Sequence, residues 1–173
     1  MSGFCRENPE SGPYNQQMDI AQLPLTYSAS VQAQHLDFLD HMNVMWYTHF
    51  FDMATWGFYN QIGFGDEYHQ DDRGSFALEQ YTRHLAELRL GDGFQIYTRA
   101  IARSAKLWHF MHFMLRDRDG ALAATTELLG IHIDMRTRRS SPLPEEQATL
   151  WDRLIAEHSQ VGWDAPVSGV MAP

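Results

Sequence analysis

Nineteen residues, Val44 to Ile62, constrain this chain more than any other stretch. With Tyr47 as origin, Phe50, Phe51, Ala54, Phe58 and Ile62 recur at the spacing of a 3.6-residue turn and form one apolar stripe on a helix. Thr48, His49, Asp52 and Asn60 fall off that stripe. Gly63 and Gly65 supply stop signals, because glycine accepts the left-handed conformation that often ends a helix. At roughly 28 Å the helix is long for a globular protein, and a stripe this aromatic needs a broad apolar surface. A sheet wrapped around it satisfies that need.

The flanking segments read as that sheet. Leu23 to Gln34 alternates Leu25, Tyr27, Ala29, Val31 and Ala33 with polar residues, the period of a strand with one buried face. Residues 63–74, rich in Gly and Asp, form a loop. Ser75 to Leu88 reads as a strand, followed by the turn signal Gly91-Asp92-Gly93 and a second extended run, Phe94 to Ser104. Lys106 to Arg116 carries apolar residues on both faces, which predicts a central strand covered on two sides. Asp119-Gly120 is a hairpin signal leading into a long last strand, Ala121 to Met135. Pro144-Glu145-Glu146, with Leu150, Trp151, Leu154 and Ile155 downstream, predicts a short C-terminal helix. The expectation is an α+β chain: a five-stranded antiparallel sheet, its last four strands in meander, around one long central helix, plus the short C-terminal helix. Residues 1–22 form a tail or an arm on a partner subunit, 23–140 the domain, and 141–173 the C-terminal helix and tail. Open sheet edges predict pairing with a second copy, and Trp56, nearly opposite the apolar stripe, predicts a subunit contact.

A formal charge of −9 argues against a nucleic-acid binder. Yet eight of the thirteen basic residues lie between Arg99 and Arg139, so a polyanionic small molecule is an expected partner; the alternative is a set of solvated strand ends. Cys5 is the only cysteine, which precludes an internal disulfide and fits a reducing compartment. No run of 18 or more apolar residues is present, and the reading is a cytoplasmic protein without a membrane segment.

Polar groups gather just before the helix, in Leu36-Asp37-Phe38-Leu39-Asp40-His41-Met42-Asn43. The first backbone N–H groups of a helix have no internal partner, so this turn can polarise a carbonyl. A carboxylate at Asp37 can attack an acyl carbon or take a proton from water while N–H groups near Asn43 and Val44 hold the oxyanion. The alternative is an ordinary turn aspartate bonded to backbone amides. Asp40 and Asn43 are both good N-caps, and His41 can orient a carboxylate or a water. Glu79 and Glu127 are weaker second carboxylates. Nine histidines raise the question of a metal, but His109 and His112 fall on opposite strand faces and His132 pairs only with Asp134, so none is expected.

The run Asp37-Phe38-Leu39-Asp40-His41-Met42-Asn43-Val44-Met45-Trp46-Tyr47 resembles the motif of the hotdog-fold acyl-CoA thioesterases of the 4-hydroxybenzoyl-CoA thioesterase type, Asp-x-x-Gly-His-Val/Met-Asn-x-x-x-Tyr. Residues 79–91 are similar to the family's strand ending in Glu-Leu-x-x-Gly-Asp. His109-Phe-Met-His112, Ala124-Thr-Thr-Glu127 and His132-Ile-Asp134 look most like a subgroup that includes betainyl-CoA thioesterases. The resemblance implies a hotdog fold, active sites at the interface of a homodimer or homotetramer, and hydrolysis of a small acyl-CoA with neither metal nor cofactor. Asp37 matches the catalytic carboxylate; His41, Asn43 and Tyr47 match motif positions; Val44 lies where a helix-start N–H faces the thioester oxygen. CoA phosphates would meet the basic segment through Arg103 and Lys106. One departure stands out: Asp40 replaces glycine, where a side chain would crowd the thioester or repel Asp37. Two other readings stay open, a non-catalytic acyl-CoA binding module and a dehydratase on the same fold.

Overall fold

A computed structural model describes residues 18–173. Residues 1–17, with Cys5 and most of the expected N-terminal arm, lie outside the described residues. The regular elements in chain order are β1 (Leu25–Ser30), α1 (Val44–Gln61), α2 (Asp66–Gln70), β2 (Arg73–His84), β3 (Gly93–Arg103), β4 (Leu107–Arg116), β5 (Leu122–Asp134), β6 (Arg139–Ser140) and α3 (Glu145–His158). One antiparallel sheet runs in the order β1-β3-β4-β5-β2, and the two-residue β6 pairs with the end of β5. It curls around α1, which buries Tyr47, Phe50, Phe51, Ala54, Phe58 and Tyr59. This is the hotdog arrangement.

The central strand is β4, and both its faces are covered. Trp108, Phe110 and Met114 pack against α1 and α3, while Met111 and Phe113 are covered by Ile20, Leu23 and Trp163. Thus Met18 and Ile20, from the end of the expected tail or arm, and Leu23 pack on this chain's own sheet. Helix α3 joins the same core, with Trp151 stacked on Trp108 at 5.8 Å and edge-on to Phe58 at 5.8 Å.

The expected meander is corrected. β2 pairs with β5 at the far edge, so β2 and β3 are not neighbours. Gly91-Asp92-Gly93 turns the chain against the end of β1 instead, where Val31 N–H donates to the Asp92 carbonyl and Gly91 N–H to the Val31 carbonyl, both at 2.9 Å. Residues 85–92 therefore cross one end of the sheet over the start of α1, pinned by fully buried Leu88 and by Met42 N–H on the Leu88 carbonyl at 2.7 Å. A local turn signal carries no information about which strand the next one will pair with.

β1 is shorter than expected and partly inverted. A bulge between Leu25 and Tyr27 turns Thr26 inward, to bond the Ile96 carbonyl at 3.0 Å, and leaves Leu25 exposed. Gly57 permits the close approach of α1 to this strand, since an added Cβ would sit inside the van der Waals radius of the Thr26 carbonyl oxygen.

Candidate active site

The motif loop folds back on itself. Leu36 and Met42 form an antiparallel bridge, Asp37 N–H donates to the His41 carbonyl at 2.8 Å, and Asn43 N–H donates to the His35 carbonyl at 2.9 Å. The chain thus returns to the helix start beside the residue at which it left. Asp37 Oδ1 accepts the amides of Leu39 at 2.8 Å and His41 at 3.3 Å. The Oδ2 atom has no partner among the described residues, so one carboxylate oxygen holds the loop and the other is free.

At the first turn of α1 the backbone amides are nearly all taken. Asn43 is the N-cap, its Oδ1 accepting Met45 N–H at 3.0 Å and its carbonyl accepting Trp46 N–H at 2.9 Å. Val44 N–H has no acceptor among the described residues, and Val44 is exposed. Capping thus removes its competitors and leaves one helix-start donor at the end of the loop that carries Asp37.

Asp40 adopts φ +60°, the left-handed region, and its side chain is exposed. Glycine suits that position because it has no Cβ to clash, and aspartate is among the few residues that tolerate it. The turn sets this position, and in the single chain the Asp40 side chain lies in solvent.

His41 bonds Glu87 across the loop. Its Nε2 is 2.8 Å from Glu87 Oε2, and the other oxygen of Glu87 pairs with Arg89 at 2.5 Å. Glu87 was not among the expected site residues; Glu79 is exposed on β2, and Glu127 is buried under the outer face, accepting from His109 at 2.8 Å and from Ser168 N–H at 2.7 Å. The signal for Glu87 was the Glu-Leu-x-x-Gly-Asp stretch, whose spatial partner the sequence does not show.

Tyr47, expected against substrate, is buried under the crossing segment. Its hydroxyl reaches the Ala86 carbonyl at 3.5 Å and its ring meets His84 edge-on at 4.7 Å, which ties α1 to the crossing segment that carries Glu87. Burial raises the pKa of this phenol.

The structure does not bring Arg103 and Lys106 to this site. Arg103 ends β3, ten residues from Gly93 or roughly 33 Å at strand rise, and Lys106 lies in the turn beyond it. Arg103 is held by both oxygens of Asp152 at 2.7 and 2.5 Å, and Lys106 reaches Ser140. Other cations of the basic segment are also occupied: Arg99 by the Trp163 carbonyl, Arg116 by Asp119 and the Glu87 carbonyl, Arg118 by Asp92. Asp37, His41, Asn43 and Val44 share the folded-back loop and the helix start.

Among the described residues no three His, Cys, Asp or Glu side chains are placed to hold a metal, and no helix is long and apolar enough to cross a membrane. His109 and His112 do face opposite sides, His109 toward Glu127 and His112 toward Thr55 and Thr98.

A cavity of about 400 Å³ lies between α1 and strands β2, β4 and β5. Its helix side is formed by Thr48, Asp52, Thr55 and Tyr59, which continue the stripe begun by Val44 at spacings of four, four, three and four. The free amide and the cavity therefore share one face of the helix. Trp56, half-exposed as expected, lines the same space.

Comparison with known proteins bears on the family and the fold. The chain is 28% identical over 153 residues to the L-carnitine dehydrogenase/betainyl-CoA thioesterase of Agrobacterium fabrum, covering 88% of this chain but only 31% of that protein. It is 25% identical over 141 residues to the betainyl-CoA thioesterase of Pseudomonas aeruginosa, covering 80% of this chain and 88% of that one. Among solved structures, a Staphylococcus aureus protein in complex with CoA superposes with a TM-score of 0.76 at 25% identity, over 87% of this chain and 96% of that one. The DHNA-CoA thioesterase of the same organism shares the fold at a TM-score of 0.70 and 13% identity, over 78% and 92%. The family model of the thioesterase-like superfamily matches residues 31–150, and the chain belongs to that superfamily.

Proposed function

We propose that this chain is an acyl-CoA thioester hydrolase that converts a small acyl-CoA to free acid and CoA. The observation that carries the reading is the pairing of a free carboxylate oxygen, Asp37 Oδ2, with a free helix-start amide, Val44 N–H, on one folded-back loop. In this mechanism the thioester oxygen accepts from Val44 N–H, which stabilises negative charge as the carbonyl carbon is attacked. Asp37 acts in one of two ways. As a base, it takes a proton from water as the water adds to the carbon; the C–S bond then breaks, and the proton passes to the departing sulfur. As a nucleophile, Oδ2 bonds to the carbon and expels CoA thiolate, and water hydrolyses the resulting anhydride. His41, braced by Glu87, keeps the loop in register, and Asn43 keeps Val44 N–H unshared.

The acting form in this reading is a homodimer, or a homotetramer built from dimers, with the site between subunits. The support is the open edge of β2, with Phe76, Leu78 and Tyr81 exposed, beside the exposed Met45, Met53 and Trp56 of α1. The single cysteine fits a reducing compartment, and the cytoplasm is where this reading puts the reaction.

The test is Asp37→Asn, assayed by thiol release across a panel of charged, aromatic and aliphatic CoA esters. The expected loss in kcat is about 100-fold or more. Hydrolysis at the parent rate refutes the proposal. Single turnover in ¹⁸O-labelled water, with enzyme in excess, tests the nucleophile role: label in the Asp37 carboxylate instead of in the product acid requires an anhydride opened at the Asp37 carbon, which direct attack of water on the substrate cannot give.

A further inference from the structure

At the start of α1 stands an imidazole whose nitrogens are unused. His84 is the last residue of β2. Three side chains of that strand face α1 in alternation: Gln80 lines the cavity, Thr82 bonds Thr126 of β5 at 2.9 Å, and His84 meets the Tyr47 ring edge-on at 4.7 Å. Helical side chains lean toward the N-terminus, so the Tyr47 ring covers the turn opened by Val44, three residues earlier. The imidazole of His84 is therefore level with the Val44 amide that has no acceptor among the described residues. Directly after His84 the chain is tied down. Ala86 takes the Tyr47 hydroxyl at 3.5 Å, Glu87 bonds His41 at 2.8 Å, and the Leu88 carbonyl accepts Met42 N–H at 2.7 Å. The strand end that carries His84 is thus fastened both to the helix start and to the loop that carries Asp37.

His84 itself is the untied group. Neither ring nitrogen has a hydrogen-bond partner among the described residues, and the residue is exposed, so water and substrate can reach it. The nearby alternatives are engaged, His41 by Glu87, and Gln80 by Thr82 at 3.3 Å. The titratable groups on the surrounding elements are Tyr47 on α1, Asp37 and His41 on the motif loop, Glu87 and Arg89 on the crossing segment, and Arg83 on β2, whose side chain turns to Tyr81 on the other face. Strand β5 presents Ala124 and Thr126. None of these groups causes the shift in the His84 pKa, which partial burial alone lowers. The ring is therefore neutral at pH 7, with a bare nitrogen.

A neutral imidazole beside an oxyanion donor is placed to take a proton from water. Resting on the hydrolase reading above, we propose that His84 is the general base of the reaction, and that Asp37, relieved of that task, acts as the nucleophile. First, Asp37 Oδ2 bonds to the thioester carbon, the C–S bond breaks and CoA leaves as the thiolate. Then a water oxygen bonds to the anhydride while its proton passes to His84. The anhydride C–O bond breaks, giving the free acid and restoring the Asp37 carboxylate. The proton on His84 goes to the thiolate or, once CoA has left, to solvent.

The test measures thiol release by the full chain, His84→Gln and His84→Ala on the same panel of CoA esters, across pH and with or without added imidazole. In both variants kcat should fall about 100-fold or more, with kcat/KM less affected, because the second step slows and the first does not. Imidazole should restore kcat in His84→Ala. The parent kcat should fall as pH drops through a value below the ordinary histidine range, where His84 gains its proton, and both variants should lack that limb. Thermal melts check that the variants are folded. Parent-level kcat in His84→Gln overturns the proposal, as does a loss in His84→Ala that imidazole does not restore, or a parent rate that stays level down to the carboxylate range. If the parent releases no thiol from any ester, the hydrolase reading fails and the role of His84 with it. If the parent turns over and the variants match it, the role of His84 alone fails.

Discussion

His112 makes a pH prediction that the structure allows to be worked through. It lies in the core between Thr98 Oγ1, 2.7 Å from Nδ1, and Thr55 Oγ1, 2.9 Å from Nε2. Thr98 Oγ1 also lies 2.8 Å from Thr26 Oγ1, and Thr55 Oγ1 3.0 Å from the Phe51 carbonyl, so each ring nitrogen meets one hydroxyl and the neutral ring is bonded at both. No carboxylate bonds the ring, and burial pushes its pKa down to about 3. Because the folded value lies below the unfolded one, the unfolded chain binds the extra proton as pH falls through about 6.5, and stability is lost from there downward. Between pH 7 and pH 5 this one group costs about 2 kcal/mol, from about 1.4 pH units of effective titration at 1.36 kcal/mol each. Urea unfolding at both pH values should show that loss, on top of smaller losses from His35, His132 and His158, whose pKa values burial also lowers. In His112→Gln the amide offers a donor and an acceptor but does not titrate. The variant should be less stable at pH 7, yet lose about 2 kcal/mol less than the parent on going to pH 5. The same pH dependence in both proteins would refute the neutral, desolvated ring.

Three further substitutions probe the loop and its frame. Glu87→Gln keeps an acceptor for His41 but drops the charge, and should lower kcat about fivefold with KM little changed; Glu87→Ala should lower it further, so rescue by the amide separates positioning from bulk structure. Gly57→Ala would favour a free helix by about 1 kcal/mol, but here the methyl meets the Thr26 carbonyl, so chemical denaturation should show a net loss of about 2 kcal/mol. Asp40→Gly trades left-handed strain against unfolded-chain entropy and should change both stability and kcat/KM little, whereas Asp40→Val should destabilise by about 1–2 kcal/mol; calorimetric melts of the pair check this.

Much of the fold was legible because each signal needed only local physics. The stripe of α1 repeats within one helix, so Tyr47 to Phe58 could be read by period alone, and Asp119-Gly120 turns β4 directly into β5, with Gly120 at φ +69°. Tyr59 escaped because it is buried from the side, by Trp108 and the loop residue Phe64, neither of which the helical period can register. β2 escaped for a related reason. Its choice between β3 and β5 depends on residues 85–92 crossing over α1, and that crossing is stabilised by Leu88 and Tyr47, contacts that exist only after the helix has docked.

The same distinction separates the legible part of the site from the rest. Asp37, Asn43 and Val44 fall within eight consecutive residues, and their chemistry follows from capping and orphan amides that any helix start possesses. Arg103 and Lys106 were read from charge density, which does not know that β3 would carry them away from Asp37 or that α3 would bring Asp152 to Arg103. Glu87 shows the converse: an acid 46 residues from His41 comes to brace it. A carboxylate gains its role here from what it is denied. Asp37 keeps one oxygen unbonded among the described residues while the loop occupies the other, and that oxygen is the one the hydrolase reading puts to work.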